Sequence, residues 1–218
     1  MTNAHDILEG ILSRLQAASE EAEEKPRRST EPGPKWQEKL KEAGYPDRHI
    51  QRLASGISGH GAIMAETLWQ KIKTGDALIL LLGRRGTGKT LMACEWAKRR
   101  IEQDKSAGKY TKCADIIGEI KATWGDGGKS IGTERDVLRK YRTAKYLVID
   151  EFHEKGVSDW ESRTLINILD HRYDAMLATV LISNLSETDA TKTLDPGIID
   201  RANETGGLVL CEWESYRK

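Results

Sequence analysis

Eight consecutive residues have the types and the spacing needed to hold a chain of phosphates. They fit the pattern GxxxxGK[ST] and are Gly83, Arg84, Arg85, Gly86, Thr87, Gly88, Lys89 and Thr90. Glycines let a backbone wrap closely around phosphate oxygens, and the amides of such a loop and of the helix after it form an anion site. Lys89 has the reach to contact the β- and γ-phosphates, and the Thr90 hydroxyl is a ligand suited to Mg²⁺. The segment therefore predicts a nucleotide-binding loop.

A pair of acids follows an apolar segment about 60 residues later. Residues 146–149 (Tyr-Leu-Val-Ile) are typical of a buried strand, and the next two residues are Asp150 and Glu151. A carboxylate at the carboxyl end of a strand beside the phosphate loop could hold Mg²⁺, directly or through water, which is the role expected of Asp150. Glu151 could polarise a water for attack on the γ-phosphate. Such a pair can also be a solvated strand end, and the phosphate loop makes the catalytic interpretation the stronger one.

Two further residues could act on the same phosphate. Asn184 follows the apolar segment 179–183, and its amide could contact the γ-phosphate and the attacking water, although asparagine after a strand is commonly a turn residue. Arg201 could be an exposed surface group, or an arginine that reaches a neighbouring subunit's nucleotide and stabilises the transition state. These residues predict ATP as the nucleotide, Mg²⁺ as the metal, and the following catalytic residues: Glu151, Asn184, Arg201 and Lys89.

The elements that must position these residues alternate between strand and helix. Segments 77–82, 146–149 and 179–183 are continuously apolar, which is typical of parallel strands covered by helices on both faces. Shorter strands are predicted near 110–113 and 208–211. Helices are predicted in pieces over 35–73 and at 89–102, 116–124, 134–141, 160–173 and 197–203. The alternation predicts an α/β fold with a mostly parallel five-stranded sheet in a three-layer αβα arrangement.

The N-terminal region differs in composition from the rest. Residues 2–25 predict an amphipathic helix, and residues 25–34 contain three prolines and a glycine, which indicates a flexible linker. We therefore expect a small helical segment at 1–34 and an ATPase domain at 35–218 with a helical lead-in at 35–73. The first segment is either a frayed terminus or a helix that docks on a partner protein.

Composition excludes several classes of protein. The 218 residues include 34 Lys+Arg and 34 Asp+Glu, so the zero net charge excludes nucleic-acid binding through bulk positive charge, though not through a local patch. The three cysteines, Cys94, Cys113 and Cys211, show no paired spacing, which favours a reducing, cytoplasmic setting. No apolar segment approaches the roughly 20 residues of a membrane helix, so no membrane association is expected.

Together these motifs resemble AAA+ P-loop ATPases and, more narrowly, the DnaC/IstB family of helicase loaders and transposition helpers. The narrower resemblance covers about residues 45–218 and rests on segments 83–90, 147–151, 182–184, 199–201 and 213–217, the last reading Trp-Glu-Ser-Tyr-Arg. It implies that Lys89 and Thr90 belong to Walker A, that Asp150 and Glu151 form Walker B, that Asn184 is sensor 1, and that Arg201 acts in trans within an oligomer. Only 17 residues follow Arg201, which leaves no room for a C-terminal lid domain; loaders of this type are similarly short.

The resemblance also implies partners. A helicase loader binds single-stranded DNA and a hexameric replicative helicase of the DnaB type, and assembles as a homo-oligomer on ATP or DNA. The small N-terminal segment suits a phage or prophage replication protein. Candidate DNA contacts are Lys121, Trp124 and Lys129, where a basic residue, an aromatic residue and a glycine-rich loop follow one another. The alternative for this segment is a flexible surface loop anchored by a buried Trp.

Three other functions stay open at this point. An IstB-like transposition helper would use the same ATP site on duplex DNA. A small P-loop kinase would need a lid with arginines and an acceptor pocket, and the acid pair at 150–151 argues against it. A binding module gated by a nucleotide that it does not hydrolyse would not need Glu151.

Overall fold

The computed structural model describes residues 35–73, 76–124, 132–152 and 158–216. Residues 35–218 form one compact unit. The predicted helix and linker within 1–34 lie outside the described residues. The described helices are α1 (Lys35–Glu42), α2 (Asp47–Ala54), α3 (His60–Ile72), α4 (Lys89–Asp104), α5 (Cys113–Lys121), α6 (Glu134–Arg142), α7 (Asp159–Asp174), α8 (Glu187–Thr193) and α9 (Pro196–Thr205). The described strands are β1 (Leu78–Gly83), β2 (Lys109–Lys112), β3 (Leu147–Asp150), β4 (Thr179–Ile182) and β5 (Gly207–Cys211).

The five strands form one sheet in the order β2-β3-β4-β1-β5, and every neighbouring pair is parallel. The carboxyl ends of all five strands therefore lie along the same edge, which is where parallel α/β sheets bind ligands. The acid-pair strand β3 is separated from β1 by β4. The side chains after β1 and β3 must reach across the end of β4 to meet.

Helices cover both faces of the sheet, as the apolar strands require. Alternate residues of β1 point to opposite faces, with Ile79 and Leu81 in one core and Leu78, Leu80 and Leu82 in the other. The first core is covered by helices α1 to α4 and the second by α5 to α9. This confirms the predicted three-layer α/β fold.

Two local predictions differ from the structure. Helix α8 was not predicted, because its sequence Glu-Thr-Asp-Ala-Thr-Lys-Thr has no apolar periodicity and buries only Ala190. The N-cap of α8 is Ser186, whose side chain accepts a hydrogen bond from the Asp189 amide. Helix α5 begins at Cys113, directly after β2, so the predicted strand at 110–113 ends one residue early. None of the described helices is long and apolar enough to cross a membrane.

Candidate active site

The phosphate loop joins the end of β1 to the start of α4. Gly83 lies so close to β5 that a Cβ there would be 2.3 Å from the Cys211 carbonyl oxygen, so only glycine fits. Gly88 has φ +90°, a backbone conformation that glycine adopts without strain. The loop then ends at Lys89, where helix α4 begins, and the backbone amides at the start of a helix favour anions.

Lys89 lies folded into this loop. Its Nζ donates hydrogen bonds to the carbonyl oxygens of Gly83, at 2.6 Å, and Arg84, at 2.8 Å. The side chain is only 5% exposed. The ammonium therefore lies where the loop would wrap around phosphate oxygens.

Asp150, the first residue of the acid pair, contacts the phosphate loop. Its Oδ2 accepts hydrogen bonds from Thr90 Oγ1 at 2.8 Å and from the Tyr110 hydroxyl at 2.7 Å, and its Oδ1 accepts from the Glu151 amide at 2.7 Å. The structure thus brings together both residues predicted to hold the metal. A hydroxyl and a carboxylate are hard oxygen donors of the kind Mg²⁺ takes, so these residues fit that ion.

Glu151 follows Asp150 in a left-handed backbone conformation, with φ +58°. Such a conformation is uncommon for a residue with a side chain. The Glu151 carboxylate forms an ion pair with Lys112, whose Nζ lies 3.1 Å from Glu151 Oε1. The hydrogen bond that Lys112 donates to this carboxylate raises the pKa of Lys112.

A cavity of about 850 Å³ opens in front of these residues. Six of the eight loop residues line it, from Arg85 to Thr90, together with Asp150, Glu151 and Asn184. Gly83 and Arg84 are not among its lining residues and contact Lys89 through their carbonyls instead. The structure therefore gathers the loop, the acid pair and the predicted sensor asparagine around one cavity.

The lead-in helix α2 adds positive charge to this cavity. Arg48 and Arg52 lie four residues apart, hence on one helix face, and both line the cavity, as does Arg85 of the loop. Among the described residues, none of these three arginines has an ion-pair partner. A cavity lined by several arginine side chains attracts a polyanion such as a nucleoside triphosphate.

Sequence reasoning missed Tyr110 and Lys112, which contact the acid pair from β2. They are two residues apart, so their side chains lie on the same face of the strand. Burial, and then the charge of Asp150, raise the pKa of Tyr110, so its hydroxyl stays a donor to Asp150. The sequence indicates that the two side chains lie on one face of the strand. Only the strand order shows that this face of β2 contacts Asp150 and Glu151.

Arg201 lies outside the cavity. It is on α9, where its Nη1 is 3.0 Å from Asp170 Oδ1 and its guanidinium lies over the Tyr173 ring at 5.5 Å. About 29% of its side chain is exposed, so it is within reach of solvent or of another molecule. The structure does not bring it to the other predicted catalytic residues of the same chain.

Two of the three candidate DNA contacts are described: Lys121 is the last residue of α5, and Trp124 follows shortly after it. Trp124 is 52% exposed, packs edge-on against Trp160 with ring centroids 4.8 Å apart, and donates its indole N–H to Glu134. The expected alternative of a buried Trp anchor does not describe this exposed side chain. Lys121 pairs with Glu161 at 2.6 Å. Lys129 lies outside the described residues.

Comparison with known proteins identifies the family. The family model described as IstB-like ATP binding protein matches residues 68–218, which include the loop, the acid pair, Asn184 and Arg201. The chain belongs to this family. Members bind ATP by description, which agrees with the geometry of the cavity.

Curated relatives of this family member are replicative helicase loaders named DnaC. The chain is 32% identical over 143 residues to that of Buchnera aphidicola subsp. Schizaphis graminum, which covers 65% of this chain and 57% of the relative. It is 30% identical over 142 residues to that of Escherichia coli K12, covering 65% of this chain and 56% of the relative. The chain thus matches little more than half the length of these relatives.

Solved structures agree on the fold. The crystal structure of the DnaC helicase loader matches with a TM-score of 0.53 at 17% identity, over 81% of this chain and 98% of that one. DnaI matches with a TM-score of 0.57 at 17% identity, over 71% and 86%. The initiator DnaA bound to AMPPCP and single-stranded DNA matches with a TM-score of 0.59 at 17% identity, over 74% and 50%. At these identities the likeness concerns the fold alone, that of a P-loop AAA+ domain.

Proposed function

We propose that this chain hydrolyses ATP with Mg²⁺ and acts as a helicase loader on single-stranded DNA. The observation that carries the proposal is the 2.8 Å contact between Thr90 Oγ1 and Asp150 Oδ2. It joins the end of the phosphate loop to the acid pair at the edge of the sheet where parallel strands bind ligands. The arginines that line the cavity, Arg48, Arg52 and Arg85, add positive potential that favours a triphosphate.

Each part of the reaction has a suitable residue at the cavity. Lys89 and the loop amides bind the β- and γ-phosphates. Thr90 and Asp150 would hold Mg²⁺, which when bound neutralises charge on the phosphates. Glu151 takes the proton of the attacking water, and Asn184 orients that water and the γ-phosphate.

The proposed partners follow from the relatives and from Arg201. The curated relatives are named replicative helicase loaders, which supports a hexameric replicative helicase of the DnaB type as the protein partner. Residues 1–34, or helices α1 to α3 after them, are the proposed helicase contact. Arg201 lies outside its own cavity, which supports a role on the nucleotide of a neighbouring copy in a homo-oligomer.

A second candidate is a transposition helper that assembles on duplex DNA. The observation that favours it is the family model itself, which is named for IstB and matches residues 68–218. The two candidates share one ATP site, so its geometry does not separate them. The nucleic acid and the protein partner do.

The test is ATP hydrolysis by the purified chain alone, with single-stranded DNA and with duplex DNA, at one low salt concentration. Stimulation by single strands, together with capture of a hexameric helicase, supports the loader. Stimulation by duplex alone supports the transposition helper. Absence of hydrolysis in all conditions, including with the helicase, would contradict the proposed ATPase.

Three variants assign the reaction to the cavity. Lys89→Ala is expected to weaken ATP binding about tenfold or more, because it removes a charge-assisted contact to phosphate. Glu151→Gln is expected to bind ATP but to lower kcat about 100-fold or more, the usual cost of losing a general base. Lys98→Ala, on the same helix as Lys89 but outside the cavity, is the matched control and should retain both properties.

A further inference from the structure

The segment that follows β5, residues 212–216, contacts the phosphate loop. The indole N–H of Trp213 donates to the Thr87 carbonyl oxygen at 3.1 Å, and the backbone N–H of Tyr216 donates to the Gly86 carbonyl oxygen at 3.0 Å. The ring of Tyr216 lies 3.8 Å from the position that a Cβ on Gly88 would occupy. Two successive loop residues thus hydrogen-bond to this segment, and a third lies beside it. The proposed mechanism gives the segment no role.

These two hydrogen bonds fix the direction of the loop amides. In a planar trans peptide the C=O and the N–H point in opposite directions. The Gly86 carbonyl shares a peptide with the Thr87 N–H, and the Thr87 carbonyl shares one with the Gly88 N–H. Because each carbonyl points at its donor in segment 212–216, each N–H points away from that donor, and Thr87 and Gly88 both line the cavity. Within the described residues neither N–H donates a hydrogen bond to another group, so both are available to an anion.

The same segment is anchored on helix α3. The Gly61 N–H, in the first turn of α3, donates to the Tyr216 hydroxyl at 3.2 Å. The His60 and Trp213 rings are stacked with centroids 5.7 Å apart and an interplanar angle of 14°. The segment therefore bridges two elements distant in the sequence, the start of α3 and the phosphate loop.

We propose that Trp213 and Tyr216 are positioning residues of the ATP site, which hold the Gly86 and Thr87 carbonyls so that the Thr87 and Gly88 amides face the phosphates. The expected effect on ATP affinity rests on the proposed function of the cavity as a nucleotide site. The expected effect on the order of the loop rests on the loop contacts alone. It gives the Trp-Glu-Ser-Tyr stretch, which the sequence singles out without a role, a function at the active site.

The test uses Trp213→Phe, which retains an aromatic ring beside His60 but loses the indole N–H. Trp160→Phe is the matched control, because Trp160 lies on α7 outside the cavity. Two quantities are measured: the dissociation constant for ATP, and the NMR order parameters of the amides of residues 86–88 in nucleotide-free protein. Circular dichroism of each variant reports whether it is folded.

Trp213→Phe is expected to raise the dissociation constant for ATP about three- to tenfold, the effect of one lost neutral hydrogen bond, and to lower the order parameters of 86–88. Trp160→Phe is expected to change neither. Unchanged affinity and unchanged order parameters in folded Trp213→Phe would overturn the proposal.

Two further measurements test the proposal if Trp213→Phe does not fold or if the chain binds no nucleotide. If Trp213→Phe does not fold, Tyr216→Phe replaces it, since it removes only the hydroxyl that accepts from Gly61. It is then expected to lower the loop order parameters, and no change would overturn the proposal. If the wild-type chain binds no nucleotide, the proposed function fails, while the order parameters still decide whether Trp213 and Tyr216 hold the loop.

Discussion

Lys112 Nζ lies 3.1 Å from Glu151 Oε1, so the edge strand β2 holds the side chain that is proposed to activate water. Two residues earlier on the same strand face, the Tyr110 hydroxyl holds Asp150 at 2.7 Å. Strand β2 therefore contacts both acids of the pair. The ion pair with Lys112 competes with a water molecule for the Glu151 carboxylate.

We predict that Lys112→Met increases ATP hydrolysis in the absence of DNA and partner proteins by about two- to fivefold. The change releases Glu151 from an exposed ion pair of modest energy, so the expected effect is small. The measurement is the steady-state rate at saturating ATP. The dissociation constant for ATP is measured alongside, because Lys112 also lines the cavity.

Lys140→Met is the control for this change. Lys140 forms an ion pair with Glu119 at 2.6 Å, with similar exposure of both side chains, but it does not line the cavity. It should leave the rate unchanged. A rate that falls in Lys112→Met at unchanged ATP affinity would show that Lys112 assists the reaction rather than restraining Glu151.

The parts of this molecule that depend on local patterns could be predicted from the sequence. The apolar run ending at Leu82 and the glycine pattern after it define a buried strand and a phosphate loop, and both are present as expected. The contact between Thr90 and Asp150 was also expected, because each residue was assigned to the same metal ion by its own motif.

The parts that depend on the order of strands could not be predicted. Neither Tyr110 nor Lys112 carries a motif, and they reach the acid pair only because β2 lies beside β3. No motif indicates that β4 lies between β3 and β1 either. Arg48 and Arg52 lie on a short helix whose placement against the cavity depends on tertiary packing.

A second prediction concerns the join between β1 and β5. Gly83→Ala is expected to destabilise the fold by about 1–3 kcal/mol, because its Cβ would collide with the Cys211 carbonyl at a φ of +135°. Gly118→Ala is the control. Gly118 is inside helix α5 with nothing within 4 Å of a Cβ, so alanine there should stabilise by about 0.5–1 kcal/mol. Urea unfolding followed by circular dichroism measures both; equal stability of the two variants would contradict the packing argument.

A third prediction concerns the proposed DNA contact at Trp124. Base stacking on an aromatic ring contributes about 1–3 kcal/mol per base, so Trp124→Ala is expected to weaken single-stranded DNA binding about tenfold. Fluorescence anisotropy with a labelled oligothymidylate at low salt measures the affinity. Met176→Ala, which removes another exposed apolar side chain, serves as control. Equal affinity of the Trp124 variant and the wild type would exclude this residue from the DNA path.

The last prediction separates two roles for Arg201, a structural ion pair with Asp170 and action on a neighbouring copy's nucleotide. Arg201→Ala is expected to retain ATP binding and to lose most DNA-stimulated hydrolysis, because it removes the charge that stabilises the transition state in trans. Asp170→Asn breaks the same 3.0 Å ion pair but leaves the arginine in place, so it should retain hydrolysis.

Mixing experiments complete this test. Arg201→Ala protein has an intact phosphate loop, and Lys89→Ala protein has an intact Arg201. In the proposed oligomer, mixing the two variants creates interfaces that pair an intact site with an intact arginine. The mixture should therefore hydrolyse ATP faster than either impaired protein alone. If Arg201 has only the structural role, Asp170→Asn should lower the rate of hydrolysis as much as Arg201→Ala does. Mixing the variants should then restore no activity.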